Sequence, residues 1–219
     1  MRQEHFGGHM KIAIDGPAGS GKSTIAKKVA KTLGIEYIDT GAMYRALAFY
    51  MNENNLSLQE LKNEMDLINI EFKKERTFIN GKDISDFIRT NEISSLASKV
   101  SKDKEIREKL VDLQRKLADK VSCVMEGRDI TSVVLKDAEY KFYLDANPMV
   151  RAKRRLNDLK GKDSKITLDE LIAEIEERDK RDKTRENSPL RITKDSNYID
   201  TSEMTVEDVV NKILSYVGD

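Results

Sequence analysis

Short apolar runs alternate along the chain with longer segments in which apolar residues recur every three or four positions. Such alternation is typical of β-strands joined by crossover helices. After the first run, Ile25, Val29 and Leu33 share one helical face, and Gly34 is placed to end that helix. The runs predict strands at 11–15, 35–39, 121–126, 140–145 and 198–200. Together they predict an α/β fold with a doubly wound five-stranded parallel sheet.

Polar residues mark where other helices and a hairpin begin. A Ser or Thr followed three residues later by an acidic residue predicts a capping box. The matching pairs are Ser57 with Glu60, Thr167 with Glu170 and Thr205 with Asp208. Between 76–79 and 82–84, the dipeptide Asn80-Gly81 predicts a β-hairpin with a type I′ turn.

Size and composition limit what the chain can be. Its 219 residues predict one α/β domain with a modest insertion and one main core. Basic and acidic residues are equal in number, 39 of each, which argues against nucleic acid as a partner and makes any anion site local. Because no apolar run approaches the roughly eighteen residues of a membrane span, we expect a cytoplasmic protein with no membrane partner.

Cysteine and histidine are scarce, which limits the catalytic mechanisms and metal sites that the chain can have. The single cysteine, Cys123, argues against a disulfide framework and a thiolate metal cluster. Both histidines, His5 and His9, lie within residues 1–10, which we interpret as the remnant of an artificial extension outside the native fold. Catalytic triads and proton shuttles that need histidine are then excluded. The abundant Lys, Arg, Asp, Glu, Ser and Thr residues bind phosphates and hard cations.

The first strand leads directly into a glycine-rich loop and then into a helix, the context that a phosphate-binding P loop requires. Glycines let backbone N–H groups surround phosphate oxygens, and the helix N-terminus adds partial positive charge. We expect Lys22 to contact the β- and γ-phosphates of ATP and Ser23 to bind Mg²⁺. The predicted ATP-binding residues of the loop are Gly16, Pro17, Ala18, Gly19, Ser20, Gly21, Lys22, Ser23 and Thr24.

Polar residues follow the next two predicted strands, where ligands of doubly wound sheets bind. After the second strand, DTGAMYR carries Arg45, which either grips a phosphate or is a solvated surface residue. After the third strand, EGRD at 126–129 either contributes to a ligand site or forms a surface turn with an ion pair.

The helix that begins at Leu168 has an apolar stripe that becomes charged toward its end. Arg178, Asp182 and Arg185 continue this stripe with some angular drift. The pattern indicates either a charged ligand or a solvated, salt-bridged helix end.

A second basic segment follows the fourth strand. Arg151, Arg154 and Arg155 precede the polar residues 161–165. We interpret this layout as a mobile basic flap, because phosphoryl transfer must be closed off from water.

Four motifs resemble those of the nucleoside monophosphate kinases and, among these, of the bacterial cytidylate (CMP/dCMP) kinases. The motifs are DTGAMYR, FINGKDISDFIR, EGRDITSVV and ERDKRDKTR, in this order. The resemblance extends over almost the whole chain and implies a P-loop core, an insert that binds the nucleoside monophosphate and a small lid. The implied bounds are 11–70, 103–151 and 168–219 for the core, 71–102 for the insert and 152–167 for the lid.

The resemblance also implies roles for individual residues. Lys22, Arg128 and Arg185 are expected to be catalytic, and Arg154 to bind ATP. The residues expected to bind the acceptor are Thr40 near the nucleotide, Arg45, Arg128 and Arg185 at the phosphate, Arg178 and Asp182 at the ribose, and Ser98, Arg107 and Asp129 at the cytosine. Glu126 stands where relatives often carry Asp, which leaves its part in holding Mg²⁺ open.

The implied activity is transfer of the γ-phosphoryl group of ATP to CMP or dCMP, with Mg²⁺, by a monomer. No strong general base is needed, because the acceptor is already an anionic phosphate oxygen. The alternative is a P-loop kinase for another small acceptor, such as UMP, shikimate or a coenzyme precursor. A nucleotide switch is less favoured, because the guanine-reading sequence Asn-Lys-x-Asp is absent and the nearest string is Thr193-Lys194-Asp195.

Overall fold

The structure is a computed structural model that describes residues 8–73, 76–159 and 166–218. Its strands are β1 Lys11–Asp15, β2 Glu36–Asp39, β3 Ile70–Lys73, β4 Arg76–Ile79, β5 Lys82–Asp83, β6 Cys123–Gly127, β7 Tyr140–Asp145 and β8 Asn197–Asp200. Its α-helices are α1 Lys22–Leu33, α2 Thr40–Glu53, α3 Leu58–Glu64, α4 Asn91–Val100, α5 Lys104–Ala118, α6 Pro148–Leu159, α7 Leu168–Thr184 and α8 Val206–Gly218.

The main sheet is parallel and five-stranded, in the order β2-β6-β1-β7-β8. β1 lies at its centre and pairs with β6 and β7, and β7 pairs with β8. The register places Asp15, the last residue of β1, opposite Gly127 and Tyr143. Residues that follow these strands therefore leave the sheet at one edge. The predicted parallel sheet is confirmed.

A continuous apolar cluster anchors the central strands. Ile12 of β1 and Phe142 of β7 are fully buried, and they share this cluster with Val29 of α1 and Ile213 of α8. The β-branched side chains suit the pleated surface of the strands. Both elements that flank the P loop, β1 and α1, are thus held by the same core.

The chain divides into two compact units. The first comprises the described parts of Met1–Tyr37 and Ala118–Asp219, and the second is Ile38–Leu117. The second unit contains an antiparallel sheet, β3-β4-β5, and a core of its own in which Met43, Leu47 and Leu61 are fully buried. The prediction of one main core is therefore wrong, because this segment carries enough apolar surface to bury a separate cluster.

The predicted β-hairpin is confirmed. Ile79 of β4 pairs with Lys82 of β5, which leaves Asn80 and Gly81 as a two-residue loop. Both loop residues have positive φ, 48° and 80°, as a type I′ turn requires. The strand β3, which pairs with β4, is not among the strands predicted from the sequence.

The predicted capping boxes are confirmed. Ser57 and Thr167 each exchange hydrogen bonds with the acidic residue three positions later, at the starts of α3 and α7. Thr205 and Asp208 exchange the same two bonds before α8. These contacts satisfy N–H groups that a helix start leaves unpaired.

Helices α6 and α7 pack on each other through a small apolar cluster that contains Ala152, Leu171 and Ile175. The polar residues 161–165 of the predicted flap lie outside the described residues. On either side of them, α6 and α7 are regular helices. The bounds inferred for the insert and the lid remain predictions. Among the described helices, none has the length and apolar character to cross a membrane.

Candidate active site

The P loop connects the end of β1 to the start of α1. Gly19 and Gly21 have φ values of 75° and 86°, which residues with a side chain rarely adopt. A Cβ atom at Gly19 would also lie 3.2 Å from the Cβ of Arg151, so the loop backbone packs directly on α6. The hydroxyl of Ser20 is buried and has no hydrogen-bond partner among the described residues. A phosphate oxygen in the loop would satisfy it.

Glu126, near the end of β6, is buried beside the P loop. Its Oε1 accepts hydrogen bonds from the hydroxyl groups of Ser23 at 2.6 Å and Tyr37 at 3.2 Å. The Nζ of Lys22 lies 3.8 Å from Oε2 of the same carboxylate and donates to the carbonyl of Pro17 at 3.2 Å. One carboxylate thus orients both the hydroxyl and the ammonium group of the P-loop motif.

The oxygen atoms of Ser23 and Glu126 are the kind of ligands that Mg²⁺ prefers. Within the described ranges, no group of three or more Asp, Glu, His or Cys side chains is arranged to hold a metal ion. A cation here would complete its coordination with nucleotide phosphates and water, as Mg²⁺ commonly does. The residues present therefore fit Mg²⁺ bound together with ATP.

A buried carboxylate immediately precedes the P loop. Asp15 is fully buried and accepts hydrogen bonds from the backbone N–H groups of Ile130 and Thr131, at 2.9 and 2.8 Å, and from the Thr131 hydroxyl at 2.6 Å. Burial raises the pKa of Asp15 to about 6, although the hydrogen bonds act in the opposite direction. Asp15 therefore fixes the turn that follows Arg128 and Asp129 against the start of the P loop.

Charged side chains cluster where β6 and α7 end. The Nε of Arg128 donates to Oδ2 of Asp182 at 2.8 Å, and a terminal nitrogen of Arg185 lies 3.8 Å from Oδ1 of Asp129. Burial alone would raise the pKa of Asp182, but the positive charges of Arg128, Arg178 and Arg185 hold it below its usual value. The structure thus brings these predicted acceptor-binding residues together.

Arg154 of α6 lies beside the P loop. Its guanidinium donates to the hydroxyl of Thr201 at 3.1 Å and to the carbonyl of Thr201 at 2.6 Å. The Thr201 hydroxyl in turn donates to the carbonyl oxygens of Ser20 at 3.3 Å and Asp145 at 3.0 Å. The arginine predicted to bind ATP is therefore connected to the loop through one buried threonine.

In the second unit, Arg45 lies in the first turns of α2. Asp39 caps this helix by accepting the N–H of Ala42 at 2.8 Å, and it also accepts from Arg45 at 2.8 Å. A Cβ atom at Gly41 would lie 3.0 Å from the Arg45 guanidinium, so a larger residue there would displace the guanidinium. The Nε of Arg45 is buried without a hydrogen-bond partner in the described part of the chain. Thr40, the first residue of α2, is also buried.

Ser98 of α4 and Arg107 of α5 are joined through Ser101. The Ser101 hydroxyl donates to the carbonyl of Ser98 at 3.0 Å, and the Ser101 carbonyl accepts from Arg107 at 3.1 Å. Arg107 is buried, and its guanidinium lies 5.5 Å from the centre of the Tyr44 ring. These contacts hold Arg107 in one orientation.

The predicted site residues are divided between the two units. The P loop, Arg154 and the charged cluster belong to the first unit. Those that lie in the second unit are Thr40, Arg45, Ser98 and Arg107.

Some residues of the site are not indicated by the sequence patterns. Arg89 contacts Asp39 at 3.4 Å. It is the last residue of the motif FINGKDISDFIR, and no pattern in the sequence marks it as a binding residue. The apolar stripe of α7 continues through the buried Asp179, four residues after Ile175, rather than through Arg178. A prediction that extended the stripe at a strict spacing of four residues would have included Asp179. Arg185 follows the helix, which ends at Thr184.

Two sequence comparisons with known proteins give the same family. A family model described as cytidylate kinase matches residues 12–219. The cytidylate kinase of Thermodesulfovibrio yellowstonii is 48% identical, covering 95% of this chain and 97% of that protein. That of Fervidobacterium nodosum is 45% identical, with 95% and 96% covered. Among solved structures, an uncharacterized protein from Eubacterium ventriosum shares the fold, with a TM-score of 0.58 at 17% identity over 96% of this chain and 99% of that one. The chain belongs to the cytidylate kinase family.

Proposed function

We propose that the protein transfers the γ-phosphoryl group of ATP to CMP or dCMP, giving ADP and CDP or dCDP. The observation that carries this proposal is the P loop in which Lys22 and Ser23 share the carboxylate of Glu126, in a chain of the cytidylate kinase family. The P loop supports ATP as the phosphoryl donor, and membership of the family supports CMP or dCMP as the acceptor.

The reaction depends on alignment and charge stabilisation more than on proton transfer. The attacking atom is an anionic phosphate oxygen, so no histidine or other strong base is required. Backbone N–H groups of the loop bind the phosphates of ATP, and the buried hydroxyl of Ser20 offers them a further contact. Lys22 stabilises the negative charge that develops on the transferred group.

Ser23 and Glu126 are the residues that would hold Mg²⁺ with ATP. When bound, the cation neutralises phosphate charge and polarises the transferring group. Glu126 additionally keeps the Ser23 hydroxyl and the Lys22 ammonium oriented toward the loop.

The arginines of the first unit supply planar groups for phosphate oxygens. The Nε of Arg128 donates to Asp182, which orients the Arg128 guanidinium before the acceptor binds. We assign Arg128 and Arg185 to the transferring and acceptor phosphates and Arg154 to ATP. The remaining proposed contacts are Arg45 with the acceptor phosphate, Thr40 near the acceptor nucleotide, Arg178 and Asp182 with the ribose, and Ser98, Arg107 and Asp129 with the cytosine.

A coupled assay of ADP release tests the proposed function. The panel is CMP, dCMP, UMP, AMP and shikimate, each with ATP and Mg²⁺, and a reaction without acceptor measures background hydrolysis. We expect kcat/KM to be highest for CMP and dCMP. A higher value for UMP or shikimate, or release no faster than the background with every acceptor, would contradict the proposal.

The protein is further predicted to act as a cytoplasmic monomer without nucleic acid or membrane partners. Light scattering of the purified chain tests the oligomeric state. A dimer at working concentration would correct that prediction and leave the chemistry unchanged.

A further inference from the structure

A buried ion pair links the P loop to helix α7. Arg151 of α6 is 2% exposed, and its partner, Asp179 of α7, is 8% exposed. Two terminal nitrogens of Arg151 donate to the two carboxylate oxygens of Asp179 at 3.1 and 2.5 Å. The same guanidinium donates to the carbonyl oxygens of Ala18 in the P loop at 3.0 Å and of Ala146, just after β7, at 2.8 Å. One planar group therefore fixes the P loop relative to α7.

Packing alone does not require this pair. Moving two charges out of water costs free energy that their attraction often fails to exceed, and apolar residues of similar size can stabilise a core equally well. An apolar contact between α6 and α7 already exists nearby, through Ala152 and Leu171. What the ion pair adds is geometry, because a two-pronged contact between Arg and a carboxylate holds both groups in one orientation.

The position of Asp179 determines what this geometry controls. Its neighbour Arg178 and, one turn later, Asp182 are residues that we assign to the acceptor ribose. On the other side of the pair, the backbone of Gly19 packs closely on Arg151, where a Cβ atom at Gly19 would lie 3.2 Å from the Cβ of Arg151. Because the guanidinium contacts both Ala18 of the loop and Asp179 of α7, a displacement of the loop would be transmitted to α7 through Arg151.

We propose that Arg151 and Asp179 are positioning residues that couple binding of ATP at the P loop to binding of the acceptor nucleotide at α7. This inference rests on the proposed function, because it uses CMP as the acceptor. Saturating nucleotide at the P loop should tighten CMP binding at least about fivefold, the lower end of common coupling between two sites.

Calorimetry of CMP binding, with and without a saturating non-hydrolysable ATP analogue and Mg²⁺, measures this coupling as a ratio of two Kd values. The ratio should fall below about twofold in Arg151→Lys, which keeps the charge but loses the planar fork, and in Asp179→Asn. The matched control is Arg155→Lys. Arg155 joins the same two helices through Glu174 at 4.0 Å, but in contact with solvent, so this variant should keep the wild-type ratio.

A wild-type ratio in Arg151→Lys, or an equal loss in the Arg155 control, would overturn the proposal. A wild-type chain that binds CMP with a ratio of one would overturn the coupling and leave the proposed function standing. A wild-type chain that binds no CMP would overturn the proposed function as well.

Circular dichroism melting curves establish that each variant folds. Where a single variant does not fold, Arg151→Met combined with Asp179→Leu repeats the test, since it leaves no buried charge alone. Failure of that double variant to fold would also contradict the proposal, because the pair would then serve folding rather than coupling.

Discussion

Carboxylates hold the cationic and hydroxyl groups of the first unit in fixed orientations. Glu126 accepts from Ser23 at 2.6 Å, and Asp182 accepts from Arg128 at 2.8 Å. Groups fixed before the reaction stabilise developing charge without the cost of reorientation.

Replacing Arg185 by Lys is expected to lower kcat at saturating CMP. The Nε of Arg185 donates to the carbonyl of Ser188 at 2.6 Å, which holds the planar guanidinium in place, and an ammonium group cannot reproduce its two-pronged contact. Loss of one preorganised donor costs about 3 kcal/mol of barrier, or about a hundredfold in kcat. The control is Arg181→Lys, because Arg181, in the last turn of α7, is half exposed and contacts Glu177 at 3.8 Å. Wild-type kinetics in Arg185→Lys would assign Arg185 to a solvated helix end.

Replacing Asp129 by Ala is expected to reduce the preference for CMP over UMP. Cytosine presents an amino donor at ring position four where uracil presents a carbonyl, so a carboxylate favours cytosine. Such a contact discriminates by about 1 to 3 kcal/mol, and the kcat/KM ratio for the two acceptors measures it. If both activities fall equally and the ratio is unchanged, Asp129 positions its turn, together with Arg185 at 3.8 Å, without contacting the base.

Asp15 should make stability depend on pH. Its pKa is raised from 3.8 to about 6, so the folded chain binds this proton more tightly than the unfolded chain. The stabilisation is complete below pH 4 and is lost as the pH rises through about 6, a fall of about 3 kcal/mol in the free energy of unfolding. Urea denaturation from pH 4 to 7.5 measures it.

The comparison for this pH effect is Asp15→Asn, which should lack the decline because it cannot titrate. Asp137→Asn is the matched control, since Asp137 is exposed. A wild-type protein whose stability changes with pH in parallel with that of Asp15→Asn would contradict the assignment.

At the scale of the element, the capping box of α7 should contribute measurably to stability. Thr167→Ala removes the hydroxyl that accepts the N–H of Glu170 and should cost about 1 kcal/mol in urea denaturation. Thr184→Ala at the other end of the helix is the control, because its hydroxyl only donates to the carbonyl of Lys180, one turn back. Equal costs for the two variants would show that the cap is not the source of the effect.

Elements whose signals are local could be predicted from the sequence, and contacts between distant segments could not. The P loop, the type I′ turn at Asn80 and the cap at Thr167 each depend on a few adjacent residues. The hydrogen bonds from Thr131 to Asp15, by contrast, join residues 116 positions apart. Nothing in the sequence distinguishes Arg151 from a surface arginine, because its partner, Asp179, lies on another helix, α7. Burial of a charged residue therefore becomes evident only once the elements are packed.

At the scale of the whole molecule, the chain forms two units with separate cores. Length and composition alone favoured one core, because 219 residues suit a single domain of ordinary size. The apolar faces of α2 and α4, and the antiparallel sheet beside them, are what give the second unit its own cluster. The P loop and its supporting carboxylates lie wholly in the first unit.

The central claim is that the P loop transfers the γ-phosphoryl group of ATP directly to CMP. The most direct test incubates ATP labelled in the γ-phosphate with CMP and Mg²⁺ and follows the label in wild type and in Lys22→Ala. The label should appear in the β-phosphate of CDP, and the rate should fall at least about a hundredfold in a folded Lys22→Ala, whose lost ammonium stabilises the transferring group. Label released only as inorganic phosphate, or transfer at the wild-type rate in Lys22→Ala, would contradict the account.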